Sequence, residues 1–335
     1  MRRFRFSHLG LVAALAVTAS ASAAAAAAVP ASAATTTYTI TDLGSLGGGV
    51  TGATAINASG EVTGHSTLTQ SGGVFHAFLW SNGKMTDLGT LGGPDSNGRA
   101  INDSGEVVGS ADDRGEISHG ALWTGNKATA RAVGGTVANG INDSGQIVNG
   151  ITEVTVGPVG ARTALPIPPG FIICEAAGIN NNGQVLGNCE VNDVVNDWQG
   201  TVWTNGTPTV LPTLGGSLAT STTALPLAKA INNNGEVVGT AVTSTGALDG
   251  FSFSNGKITD LGSNFSPAAI NDNGVIVGGP FIDTNGTLQN LNNLIPAGSG
   301  YQIQSATGIN DNGQIVANAI DTATGQQHAL LLTPN

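Results

Sequence analysis

An Asn-x-x-Gly turn set between apolar runs occurs seven times along the chain, and it restricts the possible folds more than any other feature. The clearest copy is AINDSGEVVG, residues 100–109. The turns open at Asn57, Asn102, Asn142, Asn180, Asn232, Asn271 and Asn310. They close at Gly60, Gly105, Gly145, Gly183, Gly235, Gly274 and Gly313. The spacings run from 38 to 52 residues and centre near forty. Self-similarity at that period means stacked supersecondary units, each burying its apolar face against the next.

Each copy reads as a tight β-hairpin. The Asn side chain can bond the backbone two residues on, and Gly fills the position that demands positive φ. This is a type I turn followed by a left-handed glycine, a common three-residue hairpin loop. Pairs such as Val107-Val108, Ile147-Val148 and Val237-Val238 follow the Gly. Adjacent β-branched residues predict a strand covered on both faces. A calcium loop would need carboxylates at alternate positions before the Gly and an acid at its end. These turns have neither.

A second block recurs between the hairpins, clearest as HAFLWSNGKMTDLGTLGG, residues 76–93. HAFLW and KMTDLG are short strands, and the Asn82-Gly83 pair between them is a strong hairpin signal. One repeat thus holds four antiparallel strands and no helical periodicity, the content of one propeller blade. Residues 38–48, YTITDLGSLGG, match only the fourth strand and exit loop, whereas HALLLTPN at the C-terminus stops on a third strand. The two ends complement one another.

The expected fold is therefore all-β: a closed propeller of seven four-stranded antiparallel blades, its last blade completed by the N-terminal strand. Six or eight blades are the alternatives. The third repeat carries four prolines in EVTVGPVGARTALPIPPG, which predicts irregular or edge strands. The long interval from Asn180 to Asn232 has room to hide another unit.

Residues 1–33 read as a secretory leader: Arg2, Arg3 and Arg5, an apolar run from Leu9 to Val17, and the Ala31-Ser32-Ala33 cleavage signal. The apolar run is too short to span a bilayer. The expected mature protein is one propeller domain, residues 34–335, secreted and monomeric. Cys174 and Cys189 flank the Asn180–Gly183 hairpin and fall nearly opposite each other, so export predicts a disulfide. Two cysteines are too few for a zinc site.

Loss of the three leader arginines leaves eight basic residues against twenty-two acids, a formal charge of −14. A chain this acidic, with no basic cluster, is a poor match for nucleic acid or an anionic membrane.

No catalytic or cofactor motif is present, and no metal, cofactor or catalytic residue is expected. Ten of the twenty-two acids sit at repeat positions, among them Asp103, Asp143, Asp272 and Asp311 in the turns and Asp42, Asp87 and Asp260 in the TDLG strand. Two loops depart from the repeat: Asp112, Asp113 and Glu116, and Glu190, Asp193 and Asp197. His76, His119 and His328 open third strands, which predicts contacts within their own blades; His65 stands apart.

The combination of YTITDLGSLGG, AINxxGxVVG, HAFLW and MTDLGTLGG resembles the HAF family of bacterial extracellular repeats, named for the triplet found here at His76-Ala77-Phe78. The resemblance spans essentially the whole chain beyond the leader. It implies a secreted repeat protein and no catalytic residues. The expected function is a non-catalytic extracellular scaffold binding a protein or a glycan. The alternative is a secreted polysaccharide hydrolase or lyase with carboxylates on non-equivalent loops, which needs two acids facing one cleft.

Overall fold

The computed structural model describes residues 36–69, 73–125, 130–150, 155–192, 198–216 and 227–335. The leader reading and the loop acids Asp193 and Asp197 lie outside the described residues.

Seven four-stranded antiparallel sheets make the fold, each with its strands in sequence order except the last. The first blade shows the pattern: Thr51–Ile56, Val62–Thr67, Phe75–Ser81 and Lys84–Asp87. In the seventh, Tyr301–Ile309, Ile315–Asp321 and Gln327–Pro334 take Tyr38–Asp42 as their outer strand. Ile40 stands opposite Leu332 and Asp42 opposite Leu330 in that pairing. The N-terminal strand closes the propeller.

The third blade is complete but short. Its strands are Ala138–Ile141, Ile147–Asn149, Thr155–Gly157 and Thr163–Ala164. Prolines at 158, 166 and 168–169 flank the last two, and a residue without an N–H cannot extend a ladder. The long interval after Asn180 hides no eighth sheet among the described residues; the fourth blade ends with Thr207–Val210 and the fifth begins with Leu227–Ile231.

The turn chemistry recurs in every blade. In the second, the Gly105 amide donates to the Asn102 carbonyl, and the Asn102 amide donates to that of Glu106. Gly105 has φ +74°, which any Cβ would strain. The glycine after the Val-Val pair has a different cause. The first strand bulges between Gly98 and Ala100, bringing its backbone against the second strand. A Cβ on Gly109 would stand 1.9 Å from the Asn97 carbonyl oxygen.

Apolar clusters lie between neighbouring sheets. Ala77 and Leu79 of the first blade pack with Val107, Ala111 and Trp123 of the second. Each blade thus presents apolar side chains to both neighbours, so both faces of its middle strands are covered. Cys174 and Cys189 are register partners across two strands of the fourth blade and form a disulfide. Among the described residues no helix is long and apolar enough to cross a membrane.

Candidate functional site

The Asn-x-x-Gly turns meet at one end of the propeller axis. Each Asn side-chain amide donates to the main-chain carbonyl of the next turn's Asn, at 2.9–3.2 Å, from Asn57 through Asn102, Asn142, Asn180, Asn232 and Asn271 to Asn310. Asn310 donates to Asn57, so the seven bonds form a closed circle. The Asn Oδ1 atoms accept amides inside their own turns, as Asn102 does from Ser104 and Glu106. Every one of these Asn residues is buried, and its polar atoms are used.

One residue further on, a second circle runs outside the first. The backbone amide of each residue donates to the side chain of its counterpart in the next turn, at 2.7–3.0 Å. Asp103, Asp143, Asn181, Asn233, Asp272 and Asp311 supply the acceptors. Ala58 supplies none, and the second circle is open there. The turn carboxylates therefore hold neighbouring blades together. Among the described residues no group of three or more His, Cys, Asp or Glu side chains is placed to hold a metal ion.

Seven isoleucines, one before each turn Asn, line the same end as a collar around a cavity of about 200 Å³. Beyond them, three residues before each turn Asn, come Thr54, Arg99, Asn139, Ala177, Lys229, Ala268 and Thr307. Thr54, Asn139 and Thr307 bond the carbonyls of Gly98, Ala176 and Ala53 in adjacent blades. Arg99 and Lys229 make no such bond. They face a cavity of about 480 Å³ with Asn97, Asn139, Glu175 and Asn188. The Arg99 guanidinium donates to Asn139 Oδ1 at 3.3 Å, and both cations are exposed. Among the described residues every ion pair joins a His to an Asp, so neither cation has a carboxylate partner.

Asn97 also walls a second cavity, about 460 Å³, between the first and second blades. Its other walls include His65, Phe75, Asp95, Ser110, Asp112 and Ser118. Two blades carry an inter-blade clamp at the equivalent place. Eight residues after the turn Asn, Asn188 and Asn318 each grip one residue of the next blade through both its N–H and its C=O, Ala228 and Ala53 respectively. His65 occupies that position in the first blade.

The imidazole of His65 lies over Gly52, where a Cβ would come within 2.7 Å of the ring, and packs edge-on against Phe75 with ring centroids 5.4 Å apart. His65 Nδ1 and Asn97 Oδ1 are both buried, and the two side chains interact with each other. Burial pushes the His65 pKa below its ordinary value, and the adjacent Asn97 side chain offsets this in part.

The loop acids named from sequence divide sharply. Asp112 reaches the His65 cavity, where it is joined by Asp95, whose Oδ1 accepts the Phe75 amide at 2.8 Å. Asp113, one residue on, turns into its own hairpin and accepts from the amides of Gly115 and Ile117 and from His119. The His119 bond and those amides hold its carboxyl below the usual range. Glu116 sits in the same hairpin at φ +60°, and Glu190 pairs within the fourth blade beside Cys189.

His76 and His328 bond Asp87 and Asp42, the TDLG aspartates of their own blades, each at 2.8 Å. The Tyr301 hydroxyl also donates to Asp42, at 2.8 Å.

Sequence reading passed over Asp95, Asn97, Arg99 and Lys229. The signal was present in the repeat itself: Arg99 and Lys229 are the charged members of a position filled elsewhere by Thr, Asn or Ala.

No protein-family model matches the chain, and a search of curated proteins finds no match. Solved structures do match. The chain covers 97% of the β-propeller domain of the Trilobed protease from Pyrococcus furiosus, which covers 85% of it, with a TM-score of 0.51 and 9% identity. A prolyl endopeptidase structure covers 89% of the chain at 11% identity and a TM-score of 0.51, and the chain spans 50% of that protein. TolB from Acinetobacter baumannii covers 82% at 11% identity and a TM-score of 0.46; the chain spans 63% of its length. At these identities the likeness concerns the fold alone, and the chain is a seven-bladed β-propeller.

Proposed function

We propose that this chain is an extracellular, non-catalytic binding module, and that its ligand sits in the two cavities sharing Asn97, away from the turn end. The observation that carries the reading is the gap between the first two blades. His65 and Asn97 meet there side chain to side chain, in a cavity that Asp95, Ser110, Asp112 and Ser118 also line. A concave cavity with a few convergent polar groups is the usual form of a ligand site. The leader sequence and the resemblance to HAF repeats support export, and the disulfide is consistent with it.

A glycan array and a pull-down against cell-wall and secreted fractions test this reading. A ligand retained by the parent protein and lost by Asn97→Ala is the expected result. Blank outcomes in both assays would count heavily against it.

A hydrolase or lyase is the second reading, favoured by Asp95 and Asp112 lining one cavity. Release of reducing ends from a polysaccharide, abolished by Asp112→Asn, would establish it in place of the first.

A further inference from the structure

We infer that the ligand of this site is a carboxylate-bearing saccharide, a uronate oligomer, with its acid group held by Arg99 and Lys229 and its hydroxyls read by the His65 pocket. The inference rests on the binding-module reading and goes further by naming the chemistry.

Three observations lead to it. The first is charge. The chain beyond the leader has eight basic residues against twenty-two acids, yet two of the eight share the axial cavity. Neither has a carboxylate partner among the described residues, and Glu175 on the same wall pairs with neither. Two like charges in one cavity repel, and a bound anion removes the repulsion.

The second is position. The scaffold needs no cation at this place, since Thr, Asn and Ala fill it in the other five blades. Both cations are exposed, so they do not support packing. Guanidinium in particular suits the planar, two-oxygen geometry of a carboxylate.

The third is the neighbouring pocket. Asp95 and Asp112 accept hydrogen bonds, while Asn97, Ser110 and Ser118 both donate and accept. His65 and Phe75 add flat ring surface. That set matches a ligand rich in hydroxyls with one apolar face. An acidic peptide would bring carboxylates toward Asp95 and Asp112 without the hydroxyls that those two acids can accept from. A uronate sugar carries one carboxylate and several hydroxyls per ring, which suits a cationic cavity that shares the Asn97 wall with an acceptor-rich one.

Calorimetry on the mature protein is the test. The probes are short oligogalacturonates and oligomannuronates, their methyl esters, a neutral malto-oligosaccharide and a poly-aspartate peptide. At least one free uronate should bind, its ester at least tenfold more weakly, and its affinity should fall as salt rises. The double variant Arg99→Gln/Lys229→Gln should bind at least tenfold more weakly, with an unchanged circular dichroism spectrum. The ester comparison uses the parent protein alone, so it decides even if the variant misfolds.

Equal binding of acid and ester would overturn the inference, as would preference for the peptide. Retention of a neutral saccharide or a protein, lost in Asn97→Ala while uronates stay inert, would overturn it and leave the binding-module reading standing. Uronate binding untouched by both Asn97→Ala and the double variant would overturn both.

Discussion

The side-chain amide of Asn310 donates to the main-chain carbonyl of Asn57, 3.0 Å away and 253 residues earlier in the chain. It is the last of seven equivalent bonds, and with it the axis is tied into a circle. Asn310→Ala leaves the Asn57 carbonyl and the Gln314 amide without these partners. Stability should fall by about 2–3 kcal/mol in urea unfolding, the scale for stranding buried polar groups. Asn310→Asp should be no milder, because a carboxylate would face the same carbonyl.

Ala58→Asn should stabilise the protein. The second circle of bonds is open only where Ala58 faces the Asp311 amide, and an amide side chain there would supply the acceptor found in every other turn. A gain of about 0.5–1.5 kcal/mol is expected for one added bond, read as a higher melting temperature. No gain would show that the Asp311 amide is already satisfied by water.

Removal of residues 36–44 should be severely destabilising. It uncovers the edge of the Gln327–Pro334 strand and removes Tyr38 and Leu43, both buried. Their burial alone is worth about 3–5 kcal/mol, and an unpaired edge invites association. Trimming 333–335 should do less harm. It still removes the contacts of Thr333, Pro334 and Asn335 with residues 37–39. Melting temperature and light scattering separate the cases.

High pH should loosen the same seam. Burial, and then the bond to Asp42, raise the pKa of Tyr301 to about 12 from 10.0, and burial also raises that of Tyr38. A group raised on folding contributes stability fully present below its unfolded value and lost as pH climbs through the folded one. Thermal stability should therefore decline between pH 10 and about 12. Near-ultraviolet titration should detect little tyrosinate in the folded protein at pH 10, where the denatured chain is about half ionised.

Reducing the Cys174–Cys189 bridge, or replacing both residues by Ser, should cost about 2–3 kcal/mol. The bridge closes a loop of 15 residues, for which chain entropy gives about that figure. The partners already face each other across paired strands, so the fold should persist. Denaturation with and without reductant measures the difference.

The blades were legible because their signals are local. An Asn, a Gly three residues later and a β-branched pair specify a hairpin without reference to anything distant. The closing strand was legible by complementarity, since YTITDLG carries what HALLLTPN lacks. The site was less so. Asp112 and Asp113 look alike in sequence, but neighbouring strand residues point to opposite faces; one enters the cavity and the other its own turn. His65, Asn97, Arg99 and Lys229 belong to three different repeats. Their repeat positions vary from blade to blade, so only the charge of Arg99 and Lys229 marks any of them, and only closure brings the repeats together.

The circle of Asn bonds also has no beginning. The link from Asn310 to Asn57 is chemically the same as the six that follow chain order, so this circle carries no record of where the polypeptide starts; only the second circle, open between Asp311 and Ala58, does. Joining the present termini and reopening the chain at any surface connection between blades would leave all seven bonds available. The position of the seam is thus an accident of the chain's ends and not a requirement of its geometry. A permuted chain keeps the axis intact so long as it conserves the number of turns.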